Sequence, residues 1–223
     1  GQLGDGTFRS RPQPVPVVQL TEGVAIAAGY GHSLALDQDG TVWAWGDNSS
    51  GQLGNGTTEN RNSPERVSEL IEVIAIAAGQ YHNLALKKDG TLWAWGANGD
   101  GQLGDRSFHT RTRPVQVSGL SHIVSVAAGG YHGLAVQSDQ KVGAWGRNWE
   151  GQVGDFLYDH MTTPVPVEGL SGVILVAAGA SHSLALKSNG TVWAWGENNH
   201  GQLGNSTFQA SSTPVQVSGL TGV

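Results

Sequence analysis

The tetrapeptide Gly-Gln-Leu-Gly recurs every 50 residues along this chain of 223 residues. A fixed period of this kind is typical of architectures in which each repeat buries its apolar faces against its neighbours. No insertion interrupts the period, so we expect a single repeat array that spans residues 1–223. The repeats are residues 1–50, 51–100, 101–150 and 151–200, each beginning with Gly-Gln-Leu-Gly or Gly-Gln-Val-Gly, and the partial repeat 201–223.

Each repeat carries short apolar segments separated by turn residues. In the first repeat the segments are Val15–Val17, Val24–Ala28, Ser33–Leu36 and Val42–Trp45. The last two are joined by residues 37–40, where Asp-Gly or Asn-Gly pairs favour a tight hairpin. No segment has helical periodicity. Four strands in one repeat predict an all-β fold, a β-propeller of four-stranded antiparallel blades.

The alternation of side chains predicts how the blades pack. Residues i and i+2 of a strand share a face, so large and small side chains are expected on opposite faces of each sheet. Stacking a bulky face on the alanine face of the next sheet would fill the space between blades. The expected bulky face holds Val24, Ile26, Leu34, Leu36, Trp43 and Trp45, and the small face holds Ala25, Ala27, Ala35 and Ala44. Trp45, Trp95, Trp145 and Trp195 are therefore expected to be buried between blades.

The small residues of Val24–Ala28 place this segment innermost in its blade. The predicted order then runs outward to the Pro-Val segment of the next repeat. Residues 215–217 accordingly complete a fourth blade, whereas residues 1–20 form an outer strand that lacks the other strands of its blade.

The repeats resemble those of a known family. The run AAGxxHSLAL at Ala27–Leu36, followed by DGTVWAWGxNxxGQLG at Asp39–Gly54, resembles the repeats of the regulator of chromosome condensation family over essentially the whole chain. The resemblance implies a propeller that usually has seven blades. Its members include an exchange factor for the small GTPase Ran, a plant ultraviolet-B photoreceptor and a bacterial protein inhibitor of β-lactamases. One scaffold hosts unrelated activities, so the resemblance indicates the fold more firmly than the function.

Four blades are fewer than the seven that the resemblance implies. The terminal blades would expose apolar faces, and large apolar surfaces seldom stay unpaired. We therefore expect either a part of a longer propeller or an array that associates with copies of itself through its terminal blades.

Composition excludes several classes of function. The 12 Lys and Arg residues against 18 Asp and Glu residues give a net charge of −6, which argues against nucleic acid as a partner. No apolar stretch is long enough to span a membrane, and the first residues lack the apolar core of a signal peptide. We expect a soluble chain with no membrane contact, in a compartment that the sequence does not identify.

One histidine recurs at the same place in each repeat, and it could in principle ligate a metal or act as a base. Equivalent positions in successive blades are spread around a ring, which prevents several imidazoles from converging on one ion. We expect a structural role instead, in which each imidazole hydrogen-bonds backbone of a neighbouring Gly-rich loop, residues 46–54 for the first. These residues are His32, His82, His132 and His182.

Catalysis has no support in the sequence. No Ser/His/Asp arrangement, paired-carboxylate spacing or His-Glu-x-x-His motif is present, and the chain has no cysteine. The Gly-Gln-Leu-Gly segments lack the Lys-Ser/Thr of phosphate-binding loops and are explained by turns with positive φ. We expect no enzyme activity, no cofactor and no metal.

Binding is better supported, because the loops after Trp-x-Trp-Gly and after Gly-Gln-Leu-Gly vary while the framework does not. In the third and fourth repeats these loops concentrate aromatic and Arg side chains, which are common in binding hot spots. Trp149 has a second interpretation, in which it fills space left where Gly143 replaces a strand Trp. The candidate protein-binding residues are Trp149, Phe156, Tyr158, Arg106, Phe108, His109 and Arg111.

The sequence therefore favours a noncatalytic interaction module that binds a protein partner through one loop-bearing rim. Guanine-nucleotide exchange on a small GTPase is an alternative that only the family resemblance supports. A purely structural array, amplified naturally or engineered from a consensus, is a second alternative, because the period is so regular.

Overall fold

A computed structural model describes all residues 1–223 as four antiparallel sheets of four strands each, with no helix. This architecture confirms the predicted propeller blades. Blade 1 contains β1 (Gly23–Ala28), β2 (His32–Asp37), β3 (Val42–Gly46) and β4 (Arg61–Arg66). Blade 2 contains β5 (Val73–Ala78), β6 (His82–Lys87), β7 (Leu92–Gly96) and β8 (Arg111–Gln116). Blade 3 contains β9 (Ile123–Ala128), β10 (His132–Gln137), β11 (Val142–Gly146) and β12 (Met161–Pro166), and blade 4 contains β13 (Val173–Ala178), β14 (His182–Lys187), β15 (Val192–Gly196) and β16 (Ser211–Gln216). The structure contains no helix that could cross a membrane.

The strands of each blade are hydrogen-bonded in chain order, and the outer strand comes from the next repeat, as predicted. The strand that completes blade 4 is Ser211–Gln216 rather than 215–217. The strand predicted at Val15–Val17 is wrong. The outer strand of each blade pairs with the third strand of the repeat before it, and no sheet of residues 1–223 offers such a strand to this segment, which lies in an irregular stretch.

The predicted division into a bulky face and an alanine face is also wrong. Leu34 is paired with Ala27 on one side and with Ala44 on the other, so Leu and Ala share a face. Ala35 is paired with Trp43 on the opposite face. Alternation fixes faces only within one strand, whereas the register between strands is set by the connections, so each face mixes large and small side chains.

The core lies between successive blades. Leu34 and Leu36 of blade 1 pack in one buried cluster with Trp95 of blade 2, and the two other blade junctions have equivalent clusters. The indole Nε1 of Trp95 donates a hydrogen bond to the carbonyl of Gln52 at 2.9 Å. Trp145 and Trp195 repeat this bond with Gln102 and Gln152. Apolar burial and a satisfied indole N–H therefore join each pair of blades.

Gly54 shows why the last glycine of the tetrapeptide is required. Its φ is +66°, a conformation that side chains other than glycine rarely adopt. A Cβ at this position would lie 2.8 Å from Nε1 of Trp95 and 2.8 Å from Val67. The glycine therefore leaves the space that the indole of the next blade enters.

Trp95→Ala is expected to lower the free energy of unfolding by about 3–5 kcal/mol, because the side chain is fully buried in a blade junction. Trp93→Ala is the matched control, since Trp93 lies on the same strand but is only half-buried. Its loss should be less than about half as large. Denaturant unfolding of both variants checks this, and equal losses would contradict the proposed role of the junction.

Blades 1 and 4 each have one face with no neighbouring sheet within residues 1–223. Ile26 on blade 1 is 85% exposed beside a cavity of about 540 Å³ that Leu3, Val17 and Trp45 help to line. Leu175 on blade 4 is 52% exposed. The apolar end faces expected from the sequence are therefore present, and self-association through them stays a prediction.

The isolated polypeptide 1–223 is expected to sediment as species larger than a monomer, because water contact with these end faces is unfavourable. Ile26→Asp should shift the distribution toward monomer. Ile71→Asp is the control, since Ile71 is 57% exposed away from the inner strands of the end faces. A monomeric unmodified chain, or equal effects of the two substitutions, would argue against association through the ends.

Candidate binding rim

The two variable loops of each repeat are parts of one connection between the third and outer strands of a blade. The connections are residues 47–60, 97–110, 147–160 and 197–210, which we call the rim loops. They lie beside the short loops between the first two strands, because Asp47 N donates to the carbonyl of Gly31 at 2.7 Å and Arg147 N donates to that of Tyr131 at 2.8 Å. The rim loops and the loops that precede the histidines therefore share one side of the sheet array.

A buried asparagine organises each rim loop. The amide Nδ2 of Asn48 donates to the carbonyls of Thr57 and Glu59, each at 3.0 Å, and its Oδ1 accepts from Leu53 N at 2.9 Å. Asn98, Asn148 and Asn198 occupy the equivalent position and accept the equivalent bond. This asparagine was not among the predicted site residues, although its identity in all four repeats could have indicated a structural role.

The histidines bond differently from the expectation. His32 Nε2 lies 2.7 Å from Oδ1 of Asn83 in the next blade, and Asn83 Nδ2 donates to the carbonyl of Gln52 at 2.7 Å. The predicted direct bond from this imidazole to backbone is wrong, since the side chain of the next blade lies between the imidazole and the loop. Because Oδ1 of Asn83 can only accept, Nε2 of His32 carries the proton.

The same relay operates at the junction of blades 3 and 4, but not at the junction of blades 2 and 3. His132 Nε2 bonds to Oγ of Ser183 at 2.9 Å, and Ser183 donates to the carbonyl of Gln152 at 2.8 Å. His82 lacks such a partner because the position is Gly133, where a Cβ would overlap the Trp145 ring. The indole of blade 3 thus occupies the space that a relay side chain fills elsewhere.

These imidazoles are held neutral by burial. Burial lowers the pKa of His82 to about 3, with a further contribution from neighbouring His32, and burial likewise lowers the pKa of His132 to about 3. The pKa of His32 is also lowered, mainly by burial. The structure brings no three His, Asp or Glu side chains together as metal ligands.

Trp149 lies in a compact cluster on the rim. The guanidinium carbon of Arg147 is 4.3 Å from the centroid of the Trp149 ring and 4.2 Å from that of Tyr131. His160 meets the Trp149 ring edge-on at 4.9 Å, and its Nδ1 lies 3.1 Å from Asp100 Oδ1. We call Asp100, Tyr131, Arg147, Trp149 and His160 the Trp149 cluster. The residues of this cluster come from three separate loops. Only Trp149 could therefore be predicted from the sequence.

A row of tyrosines leads to this cluster. The ring centroids of Tyr30 and Tyr81 are 5.7 Å apart, and those of Tyr81 and Tyr131 are 6.4 Å apart. Burial, followed by the neighbouring tyrosines, raises the pKa of Tyr81. Together with the Trp149 cluster, the row forms a continuous aromatic surface across blades 1, 2 and 3 that was not predicted from the sequence.

Trp149 does not compensate for Gly143. The nearest side chains to the position of a Cβ at Gly143 are Leu120 at 3.1 Å and Pro164 at 3.6 Å. The missing Trp leaves a cavity of about 200 Å³ that Lys141 also lines. The space-filling interpretation of Trp149 is therefore wrong.

The other candidate residues lie outside the Trp149 cluster. Arg111 is the first residue of β8 rather than part of a rim loop, and it is paired with Asp105 at 2.8 Å. Arg106 has a φ of +68°, and its N–H donates to the carbonyl of Thr162 in blade 3. The exposed side chains on the rim loops are Arg106, Phe108, His109, Phe156 and Tyr158. The structure thus brings Trp149 together with residues that were not predicted rather than with the predicted set.

The buried histidines predict a pH dependence of stability. His82 and His132 titrate near pH 3 in the folded chain but near 6.5 when unfolded, so the unfolded state binds more protons between these values. Stability is therefore highest above pH 6.5 and should fall by about 1.4 kcal/mol per pH unit for each histidine as the pH drops below it. The ordinary pKa values of Asp and Glu are about 4, so between about pH 6.5 and about pH 5 the slope comes mainly from the histidines.

Urea denaturation between about pH 7 and pH 4.5 measures this slope. His82→Gln should make the slope shallower by the contribution of one group. His109→Gln is the matched control, because its ring is exposed, and should leave the slope as it is. Parallel slopes for the unmodified chain and His82→Gln would contradict the assignment.

Comparison with known proteins agrees with the architecture. The family model of the RCC1-like domain matches residues 1–223. Similar solved structures include yeast RCC1 (Prp20) bound to Kap60, with a TM-score of 0.80 and 29% identity over 92% of this chain and 50% of that one. Another is human WBSCR16, with a TM-score of 0.84 and 26% identity over 97% of this chain and 60% of that one. This chain therefore spans about half to three fifths of the length of these proteins. The resemblance seen in the repeats is confirmed: the chain belongs to the RCC1-like domain family.

Proposed function

We propose that the chain is a noncatalytic interaction module that binds a protein partner through the rim loops, centred on Trp149. The observation that carries the proposal is that Trp149 is 61% exposed yet held in one orientation by Arg147 and His160. A large aromatic side chain that is already ordered loses little conformational entropy on binding. Trp is also among the residue types that contribute most to binding energy in protein interfaces.

Similar proteins support protein binding as the class of function. One solved structure is of yeast RCC1 (Prp20) bound to Kap60. Another study of Prp20p from Saccharomyces cerevisiae, 28% identical to this chain with a TM-score of 0.80, concerns its binding properties to Gsp1p and histones. These partners belong to those proteins, and this chain covers 52% of the second one.

The exchange-factor alternative rests on the family resemblance, since no rim residue independently supports it. Release of labelled GDP from a panel of purified small GTPases, with the chain present in substoichiometric amounts, tests it directly. Accelerated release from one member would replace the noncatalytic proposal. A purely structural array would neither accelerate release nor bind through Trp149.

A photoreactive amino acid at position 150, next to Trp149, identifies a partner that contacts the rim while the Trp149 ring stays in place. We expect a discrete crosslinked protein from position 150 and none from position 50, which is the equivalent Ser on blade 1. Position 200, a His on blade 4, serves as the control in a repeat adjacent to blade 3. The same adducts at all three positions would mean that contact with this rim is nonspecific.

With the crosslinked protein purified, Trp149→Ala should weaken binding by about 2 kcal/mol or more while the melting temperature stays nearly unchanged. The reason is that the exposed ring contributes to the interface and little to the core. Phe8→Ala is the matched control, an exposed aromatic of the same kind of loop at the far end of the array. A large loss of stability with no intrinsic loss of affinity would exclude Trp149 as a hot spot.

A further inference from the structure

The guanidinium of Arg147 lies against two aromatic rings and uses neither of its terminal nitrogens within the chain. Both of its faces are covered, by Tyr131 at 4.2 Å and by Trp149 at 4.3 Å, so only the N–H groups at its edge remain free to interact. Neither terminal nitrogen donates a hydrogen bond within the chain, and Nε is buried without a hydrogen-bond partner. The side chain is 25% exposed and its terminal nitrogens are not among the buried atoms, so a ligand can reach them from solvent.

Asp100 does not supply the missing acceptor. Its Oδ1 lies 3.4 Å from Nε of Arg147, which is long for a charge-assisted hydrogen bond, and the same oxygen lies 3.1 Å from His160 Nδ1. This carboxylate is therefore shared between two side chains. It balances part of the charge of Arg147 and leaves the outer edge of the guanidinium without an acceptor.

We propose that Arg147 binds the carboxylate of an Asp or Glu side chain in a segment of the partner protein. This inference rests on the proposed function, because it names the chemistry that the same rim recognises. A guanidinium with both faces stacked is fixed in plane and presents two parallel N–H donors, a geometry that matches a carboxylate. The exposed Trp149 ring beside it accepts an apolar neighbour of that acidic residue.

Charge complementarity favours a carboxylate over a phosphate. The cluster contains one guanidinium and, 3.4 Å from it, the carboxylate of Asp100. Glu150 follows Trp149 on the same rim loop and adds a second negative charge. These acids repel a phosphate dianion more strongly than a carboxylate monoanion, and the cluster contains no second cation to offset the larger charge.

Selection of a random peptide library displayed on phage against the immobilised chain tests the proposal. Peptides eluted from the chain are expected to be enriched in Asp or Glu next to an apolar residue. Synthetic, fluorescently labelled versions of the recovered peptides are then measured by anisotropy against the unmodified chain and its variants. Arg147→Gln should weaken their binding by about tenfold or more, because it removes the fork and its charge.

One further variant separates the contribution of the charge of Arg147 from that of its planar geometry, and another serves as a control. Arg147→Lys keeps the charge but loses the bidentate geometry, and we expect it to recover only part of the affinity. Arg113→Gln is the matched control, since Arg113 is a half-exposed arginine paired with Glu69 outside the cluster, and it should bind like the unmodified chain. Melting temperatures of all variants show whether a loss of binding reflects a loss of folding.

The outcomes distinguish this inference from the proposed function. Peptides that lack acidic residues but lose binding with Trp149→Ala would overturn the carboxylate site and retain the rim as a protein-binding surface. Acidic peptides that are displaced equally well by inorganic phosphate and by acetate at matched ionic strength would identify a general anion site and overturn the commitment to a protein carboxylate. If no recovered peptide depends on Arg147 or on Trp149, both proposals fail.

Discussion

The bond from a buried indole to the carbonyl of the preceding tetrapeptide holds the array together. Trp95 donates to Gln52 at 2.9 Å, and Trp145 and Trp195 donate to Gln102 and Gln152 at 2.9 and 2.8 Å. The carbonyl belongs to the loop that closes one blade, and the indole belongs to the next blade. A single contact therefore satisfies a buried donor, fixes the position of the rim loop and sets the spacing of two sheets. Gly54 and its equivalents are required because the indole enters where a Cβ would lie.

Several features of the fold could be predicted because the repeat is regular. The number of strands, their order and the origin of the outer strand all follow from one 50-residue period and its turn residues. The faces could not be predicted, because the pairing of Leu34 with Ala27 and Ala44 depends on register between strands. The partner of His32 was missed for a related reason. Asn83 is 51 residues away, and only the stacking of blades brings the two side chains together.

The candidate site was predictable only in part. Trp149 stands out as an aromatic residue in a variable loop, but its neighbours come from other connections, Asp100 from blade 2 and Tyr131 from the short loop of blade 3. Their proximity depends on how adjacent rim loops pack, which alternation and turn chemistry do not encode. The other predicted residues were selected for their type alone. Arg111 shows the weakness of that criterion, because it begins β8 and its ion pair with Asp105 ties it to the preceding rim loop.

The departures from the repeat are concentrated in blade 3, and they have different physical consequences. Gly133 removes the relay side chain, which leaves His82 without a partner and lets the Trp145 ring occupy that space. Gly143 removes a strand Trp and opens a cavity at the outer strand. Arg147 and Trp149 add the stacked pair on the rim.

The two glycines weaken local packing or hydrogen bonding in blade 3, and Trp149 exposes an aromatic ring to solvent. The other repeats form the same blade without these changes. The stability of the fold therefore does not explain why all of them occur in blade 3. The binding function that we propose for the rim of blade 3 would account for the stacked pair, because exposed aromatic area is unfavourable in the free chain and contributes to affinity in a complex.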